Sequence, residues 1–421
     1  MDVIVNRTRN RILVAAAAAL CLLAAPVLSR PLIAQFDEAA LEEQLEQLAL
    51  LLGLGPIEPS DLERRVEEIG QLPLQHSVPI DFMSRDDLSA YIRGLFEEEY
   101  PVAYAEREER ALRAFGFLTD GQDLRAIRQR VLDEAVAGFY DERPGVKKLF
   151  AIASDRKLTL KNQLVLSHEI RHAVQDQHIV IRDKLVVESD YDDRRLAVLC
   201  LIEGDASVLM EQYLAARVTK NRPELENMFR AFSLGLSGPE VAEMFAGPEL
   251  ASAPAVVQEQ LVAPYFRGRN LATAIFERGG FELLNELLET PPRSTEQVLH
   301  PEKYLGANPD EPVEVSLPRA ATRDADFEGR LGELLIRALL SDGSATALAE
   351  TAAEGWGGDA YAVFPDGEQY ALLWHSVWDS SDDAREFERA LRQHMVGRFG
   401  ADGFTLEIEG QEVRFRRTGV S

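Results

Sequence analysis

Cysteine is almost absent from this 421-residue chain, which has only Cys21 and Cys200. No disulfide framework carries the fold, and stability is expected from a packed core. Cys200 lies in the apolar run LAVLCLI, where a thiol reads as a small buried hydrophobe rather than a nucleophile or ligand. Basic residues are also in deficit, 45 against 71 acidic ones, giving a formal charge of -26. Such a field repels phosphate backbones and anionic bilayer surfaces, so nucleic acid is not an expected partner. No solenoid-type repeat is present. Histidine is scarce too, yet three of the seven fall between positions 168 and 178.

At the amino terminus Arg7, Arg9 and Arg11 precede an apolar run over 12–28 that Pro26 interrupts. This is the layout of a secretory signal, with small residues for cleavage at Ser29 or Ala34, or of a short uncleaved anchor. The expected location is therefore extracytoplasmic, periplasmic or secreted, with membrane attachment through this segment as the alternative. Cys21 follows Leu20 rather than a small residue, which argues against a lipoprotein site.

The remainder reads as α+β and predominantly helical, in three parts after the 1–34 signal or anchor. An acidic helical leader occupies 35–79, with Ser60 as candidate N-cap and Gly70 as a stop in EPSDLERRVEEIG. A central domain spans 80–310. It opens with a short strand and a helix capped by Ser84, with Asp87 three residues on, followed by helices near 103–115 and 124–135. AGFYDERPGVKKLFAIAS then reads as a hairpin around ERPG ending near 154. Long helices follow over 159–177 and 193–218, a segment over 220–255 is punctuated by Pro and Gly, and helical pattern resumes after it. A small α+β unit fills 311–421: a helix near 327–340, a hairpin turning at PDG, a helix over 382–399 and a last hairpin in FTLEIEGQEVRFRR.

The chemistry concentrates in LVLSHEIRHAVQDQH. His168 and His172 are four positions apart, so on a helix both imidazoles lie on one face and reach a single cation. Glu169 projects beside them. This H-E-x-x-H spacing supplies two nitrogen ligands for zinc and a carboxylate that takes a proton from a water activated by the ion. HEIRH resembles the active-site helix of zincin metallopeptidases. HEIRHAVQDQH followed by LIEGDA, with VAGFYD before it and PPRSTEQVLHPEKY after it, is similar to a family of exported prokaryotic metallopeptidases over roughly 80–310. The resemblance implies a zincin-like core holding one Zn2+ ion and a peptide or protein substrate. It also implies that the strand before the active helix, 148–154, is the sheet edge along which an extended peptide lies.

Three residues compete for the third ligand. His178 has the metzincin spacing, but the glycine that pattern needs for its turn is replaced by Gln175. Glu203 interrupts the apolar stripe Leu196, Leu199, Ala206, Met210, where a lone carboxylate is costly and wants a partner. It matches the gluzincin arrangement, and Gly204 beside it allows a close helix approach. Asp205 is the further alternative. Asp176 is a candidate support for an imidazole, or equally a solvated acid at the helix end. Tyr265 and His300 are candidate donors to the oxyanion of a tetrahedral intermediate, although core packing or a turn role is the commoner use of such residues. His76 and His375 read as structural.

The expected activity is hydrolysis of peptide bonds by an exported zinc-dependent metallopeptidase, with His168, His172 and Glu203 as ligands and Glu169 as general base. The rival from another class is a zinc-stabilised envelope module that binds a partner or acts as a scaffold and cuts nothing. A closed structural site has no use for Glu169.

Overall fold

The computed structural model describes residues 54–134, 138–152, 158–185, 193–220, 248–341 and 346–420. The expected signal or anchor, the start of the leader and most of the Pro/Gly-punctuated segment lie outside them. No helix among the described residues is long and apolar enough to cross a membrane. The fold is α+β and dominated by helices, with two small sheets.

Helix α1 (Pro59–Gly70) starts two residues earlier than the Ser60 cap implies. Pro59 takes the first turn, where its missing N–H is harmless, and Glu58 is the N-cap without a side-chain bond. Leu62 and Val66, one turn apart, are fully buried. This part of the expected leader is therefore a core helix packed on the histidine-bearing helix. Strand β1 (Ile80–Met83) leads into α2 (Arg85–Glu99), whose Ser84 cap accepts from Asp87 N at 3.1 Å. Helices α3 (Val102–Phe115) and α4 (Leu124–Glu134) follow, then the hairpin of β2 (Gly138–Asp141) and β3 (Lys148–Ile152).

The first sheet has the order β1-β3-β2, with β1 parallel and β2 antiparallel to β3. This corrects the expectation for 148–154. Strand β3 is hydrogen-bonded to a strand on both sides and presents no edge, and among the described residues β2 is the antiparallel edge strand. The period of two sends alternate residues to two cores. Phe139 and Phe150 stack at 5.1 Å and face Tyr91 of α2, while Tyr140, Leu149 and Ala151 face the histidine-bearing helix.

That helix, α5 (Leu160–Ile179), is capped by Thr159 and buried at every position from Val165 to Asp176. A short α6 (Ile181–Lys184) follows. Helix α7 (Asp193–Thr219) is the central rod, buried continuously from Arg195 to Leu209. After α8 (Pro248–Ser252), the long α9 (Ala255–Leu287) packs along α7, bending at Gly279 and Gly280. The two rods cross at Gly204 and Gly268: a methyl on Gly204 would strike the Gly268 carbonyl, and one on Gly268 would strike the Cys200 carbonyl. The close approach expected of Gly204 is thus made with α9.

Short helices α10 (Thr295–Leu299) and α11 (Pro301–Leu305) carry the STEQVLHPEKY segment. Ser294 caps α10, and Thr295 N donates to the Asp193 carboxylate at 3.0 Å, pinning the start of α7. After α12 (Arg319–Thr322) the second sheet runs β4-β5-β6-β8-β7, built from β4 (Phe327–Gly329), β5 (Trp356–Asp366), β6 (Gln369–Trp378), β7 (Thr405–Glu409) and β8 (Glu412–Val420). The helix expected from 327 begins only at Gly332, as α13 (Gly332–Ser341), because Gly332 adopts φ +69° and breaks the chain after β4. Helix α14 (Thr346–Ala353) precedes β5, and α15 (Ser381–Phe399) covers one face of the sheet. On the same face Phe115 of α3 meets Tyr361 and Trp374 edge-on at 4.9 and 5.2 Å, and Trp374 also meets Phe387 of α15 at 5.4 Å. The sheet core is therefore continuous with helices α2 to α4.

Candidate metal centre

Helix periodicity places His168 and His172 on the same side of α5, facing α7 where Glu203 interrupts the apolar surface. His168 Nε2 and His172 Nε2 are 3.0 Å apart, and Glu203 Oε2 lies 3.1 Å from the first and 3.3 Å from the second. These three atoms form a nearly equilateral triangle. Ligand atoms about 2.0–2.1 Å from a tetrahedral zinc stand roughly 3.3 Å from one another, so the triangle fits one face of such a polyhedron with little movement. Glu203 Oε1 is buried and has no hydrogen-bond partner among the described residues. An orphaned carboxylate oxygen in a fully buried setting is costly unless a cation shares the site.

The electrostatics point the same way. Burial works against the charged form of Glu203, but the positive field of His172 and hydrogen bonds from both imidazoles outweigh it and hold the carboxyl down to about 2. Burial lowers His168 below its ordinary value. It opposes His172 as well, yet the Glu203 carboxylate lifts that imidazole to about 9. Two ring nitrogens 3.0 Å apart have no room for a proton on each, so the carboxylate draws only one ring to the cationic form. One anion and one shared proton make a charge arrangement that a bound cation could replace.

Glu169 stands beside the triangle. Its Oε2 accepts from Tyr140 N of the edge strand at 2.8 Å, while its Oε1 is buried and unpartnered among the described residues. Burial pushes this carboxyl up to about 8, with Glu203 adding to the rise and His172 and the Tyr140 N–H opposing it. A divalent ion at the triangle would pull it back down. Glu169, His172 and Glu203 line a cavity of about 40 Å3 with Phe139, Tyr140, Glu142, Ile181, Leu185, Leu199 and Ile202. Such a space holds a few waters.

The other expected residues fall elsewhere. His178 is turned away, with Nε2 at 2.8 Å from Pro73 O. Asp205 is fully buried against Arg171, which donates from Nε at 2.7 Å and Nη2 at 3.0 Å. It is therefore held by a guanidinium rather than turned to the triangle. The imidazole support expected of Asp176 comes from Gln175: its Oε1 lies 2.8 Å from His172 Nδ1, whereas Asp176 accepts from Tyr140 Oη at 2.9 Å and pairs with Lys147. Tyr265 of α9 stacks on the His168 ring at 6.1 Å between centroids. His300 does not line the cavity; its Nε2 is 3.1 Å from Glu333 Oε1, with Arg337 alongside, so it clamps α10 to α13. His375 sits 3.3 Å from Glu412 on the neighbouring strand, a structural position. Cys200 is fully buried and free, and burial pushes its thiol upward.

A second acidic group, Glu296, Asp310 and Asp379, also converges. Lys303 Nζ already occupies it, at 2.6, 3.1 and 3.2 Å from the three carboxylates.

No curated protein and no solved structure matches this chain. A family model described as a domain of unknown function (DUF8575) matches residues 320–420, the segment of the second sheet and its helices.

Proposed function

We propose that the chain is an exported zinc-dependent metallopeptidase of gluzincin type, with a zincin-like core around α5 and α7. His168, His172 and Glu203 are its metal ligands. The observation that carries the reading is the triangle of ligand atoms 3.0–3.3 Å apart with Glu169, one carboxylate oxygen unpartnered, in the same cavity. Two imidazoles and a carboxylate suit zinc. When bound, zinc supplies Lewis acidity, bringing the pKa of a water toward about 7 and polarising the carbonyl under attack.

The side chains divide the remaining work. Tyr140 N–H anchors Glu169 Oε2, which leaves Oε1 to take the proton of the attacking water and pass it to the leaving amine. The outer edge of β2, apart from the Tyr140 N–H that Glu169 holds, offers backbone groups to an extended peptide, with Phe139 and Tyr140 lining the cavity beside it. Tyr265 is the aromatic ring stacked on His168. The basic and apolar amino-terminal run supports work outside the cytoplasm.

One observation favours the zinc-stabilised binding module instead. His168, Glu169, His172 and Glu203 are exposed by only 2, 3, 5 and 0%. The two readings separate at Glu169. Digestion of an unfolded protein by the wild type and by Glu169→Gln, at matched zinc content, is expected to show cleavage only by the wild type. Equal digestion by both, or none by either, would remove the peptidase mechanism.

A further inference from the structure

The buried ion pair of Arg171 and Asp205 is not explained by the ligand set. Both side chains are fully buried. Removing two charges from water costs about as much as their attraction returns, so such a pair contributes little net stability by itself. Its hydrogen bonds lead to the ligands. Arg171 donates to both Asp205 oxygens, at 2.7 and 3.0 Å, so each of them is an acceptor. Arg171 Nη2 also donates to Asn285 Oδ1 of α9 at 2.6 Å, and Asn285 Nδ2 donates to Gly70 O at 3.0 Å. The guanidinium is thereby locked to α1 and α9 as well as to α7.

Asp205 next dictates the rotation of a neutral amide. Gln175 Nε2 donates to Asp205 Oδ2 at 2.7 Å and to Ile202 O at 3.0 Å. Both partners only accept, so the NH2 end of Gln175 must face them and its Oε1 must face His172 Nδ1, 2.8 Å away. A carbonyl oxygen there requires a proton on Nδ1. In the neutral imidazole the lone pair then sits on Nε2, the atom in the ligand triangle.

We propose that Arg171, Asp205 and Gln175 form a positioning relay that fixes His172 as the Nδ1–H tautomer and holds its Nε2 lone pair at the metal site. The relay rests on the metal reading above. The x-x of H-E-x-x-H is not filler in this chain, since Arg171 is the origin of the relay that orients the histidine following it. Asp205, two residues after Glu203, ties the same helix to that task, so α7 supplies one ligand directly and sets a second through Gln175.

The test is a double-mutant cycle on zinc affinity, using zinc alone against a chromophoric chelator, with wild type, Gln175→Met, Asp205→Asn and the double variant. Loss of an imidazole's supporting partner typically weakens metal binding roughly 10–100-fold, and Gln175→Met is expected in that range. Asp205→Asn is expected to weaken binding in the wild-type background and to add little once Gln175 is gone, because its effect passes through that amide. Fully additive losses, or unchanged affinity in Gln175→Met, would overturn the relay. Should the variants fail to fold, nitrogen-15 spectra of the wild type decide, recorded at a pH high enough for the His172 ring to be neutral, since an imidazolium carries both protons. A slowly exchanging proton on His172 Nδ1 supports the relay, and an unprotonated Nδ1 overturns it. A wild type that shows this proton but takes up no zinc leaves the tautomer assignment standing and sinks the metallopeptidase reading.

Discussion

The α7–α9 crossing makes a prediction in which helix propensity and packing have opposite signs. Gly204→Ala should stabilise α7 by about 0.8–1 kcal/mol if helix propensity alone decided. The added methyl would, however, run into the Gly268 carbonyl and crowd Arg269 N at 3.0 Å. These are backbone atoms of a buried helix and cannot rotate aside, so the rods must separate. Overpacking a filled core costs about 1–3 kcal/mol, toward the upper end where backbone is struck. The net expectation is a loss of about 1–2 kcal/mol, with weaker zinc binding because Glu203 is the adjacent residue. Gly94→Ala is the control: Gly94 lies inside α2 with open space around it, and the same change there should gain about 0.5–1 kcal/mol. Urea denaturation of both variants, with zinc titration of the first, gives the comparison. A Gly204→Ala protein as stable as its parent, with unchanged zinc affinity, would refute the claim that this contact sets the Glu203 position.

Asp205→Ala strands a fully buried guanidinium and should cost about 3–5 kcal/mol by chemical denaturation, most of it recovered when Arg171 is also replaced by Met. Val180, at the end of α5, holds φ +51° while 43% exposed, so Val180→Asn should raise stability by about 1 kcal/mol in the same assay. The hydrogen bond to Glu333 raises His300 above its ordinary value, against partial burial, with Glu302 assisting and Arg337 opposing. A raised pKa means the folded state binds the proton more tightly, so this contribution is full below the unfolded value and is lost as pH rises through the folded one. The stability advantage of wild type over His300→Gln should therefore be larger at about pH 5.5 than at about pH 8.5.

The convergence of His168, His172 and Glu203 was largely legible because it follows from two local rules. The i,i+4 spacing aligns His168 with His172, and a carboxylate inside an apolar stripe demands a partner, which singled out Glu203. The bounds of α5 were legible as well, since Thr159 is a usable cap and the apolar pattern runs to its end. What surrounds the triangle was not legible. Both Gln175 and Asp176 lie about one turn beyond His172, and chemical habit prefers the acid. Asp176 is instead claimed by Tyr140 and Lys147 across the hairpin, contacts that no local pattern announces. The edge strand was misread for a similar reason. Nothing around 148–152 indicates that β1, more than sixty residues earlier, pairs with it in parallel and turns it into an interior strand. His300 has the packing or turn role that is the commoner one for such a residue, its Nε2 facing Glu333 Oε1 rather than a substrate.

The central claim is that two helices hold one ion between three side chains. Zinc per chain, measured by elemental analysis on the purified wild type, Glu203→Ala and His178→Ala in parallel, tests it most directly. The account predicts a single zinc in the wild type and in His178→Ala, and little or none in Glu203→Ala. Full zinc in Glu203→Ala, or its loss from His178→Ala alone, would contradict it.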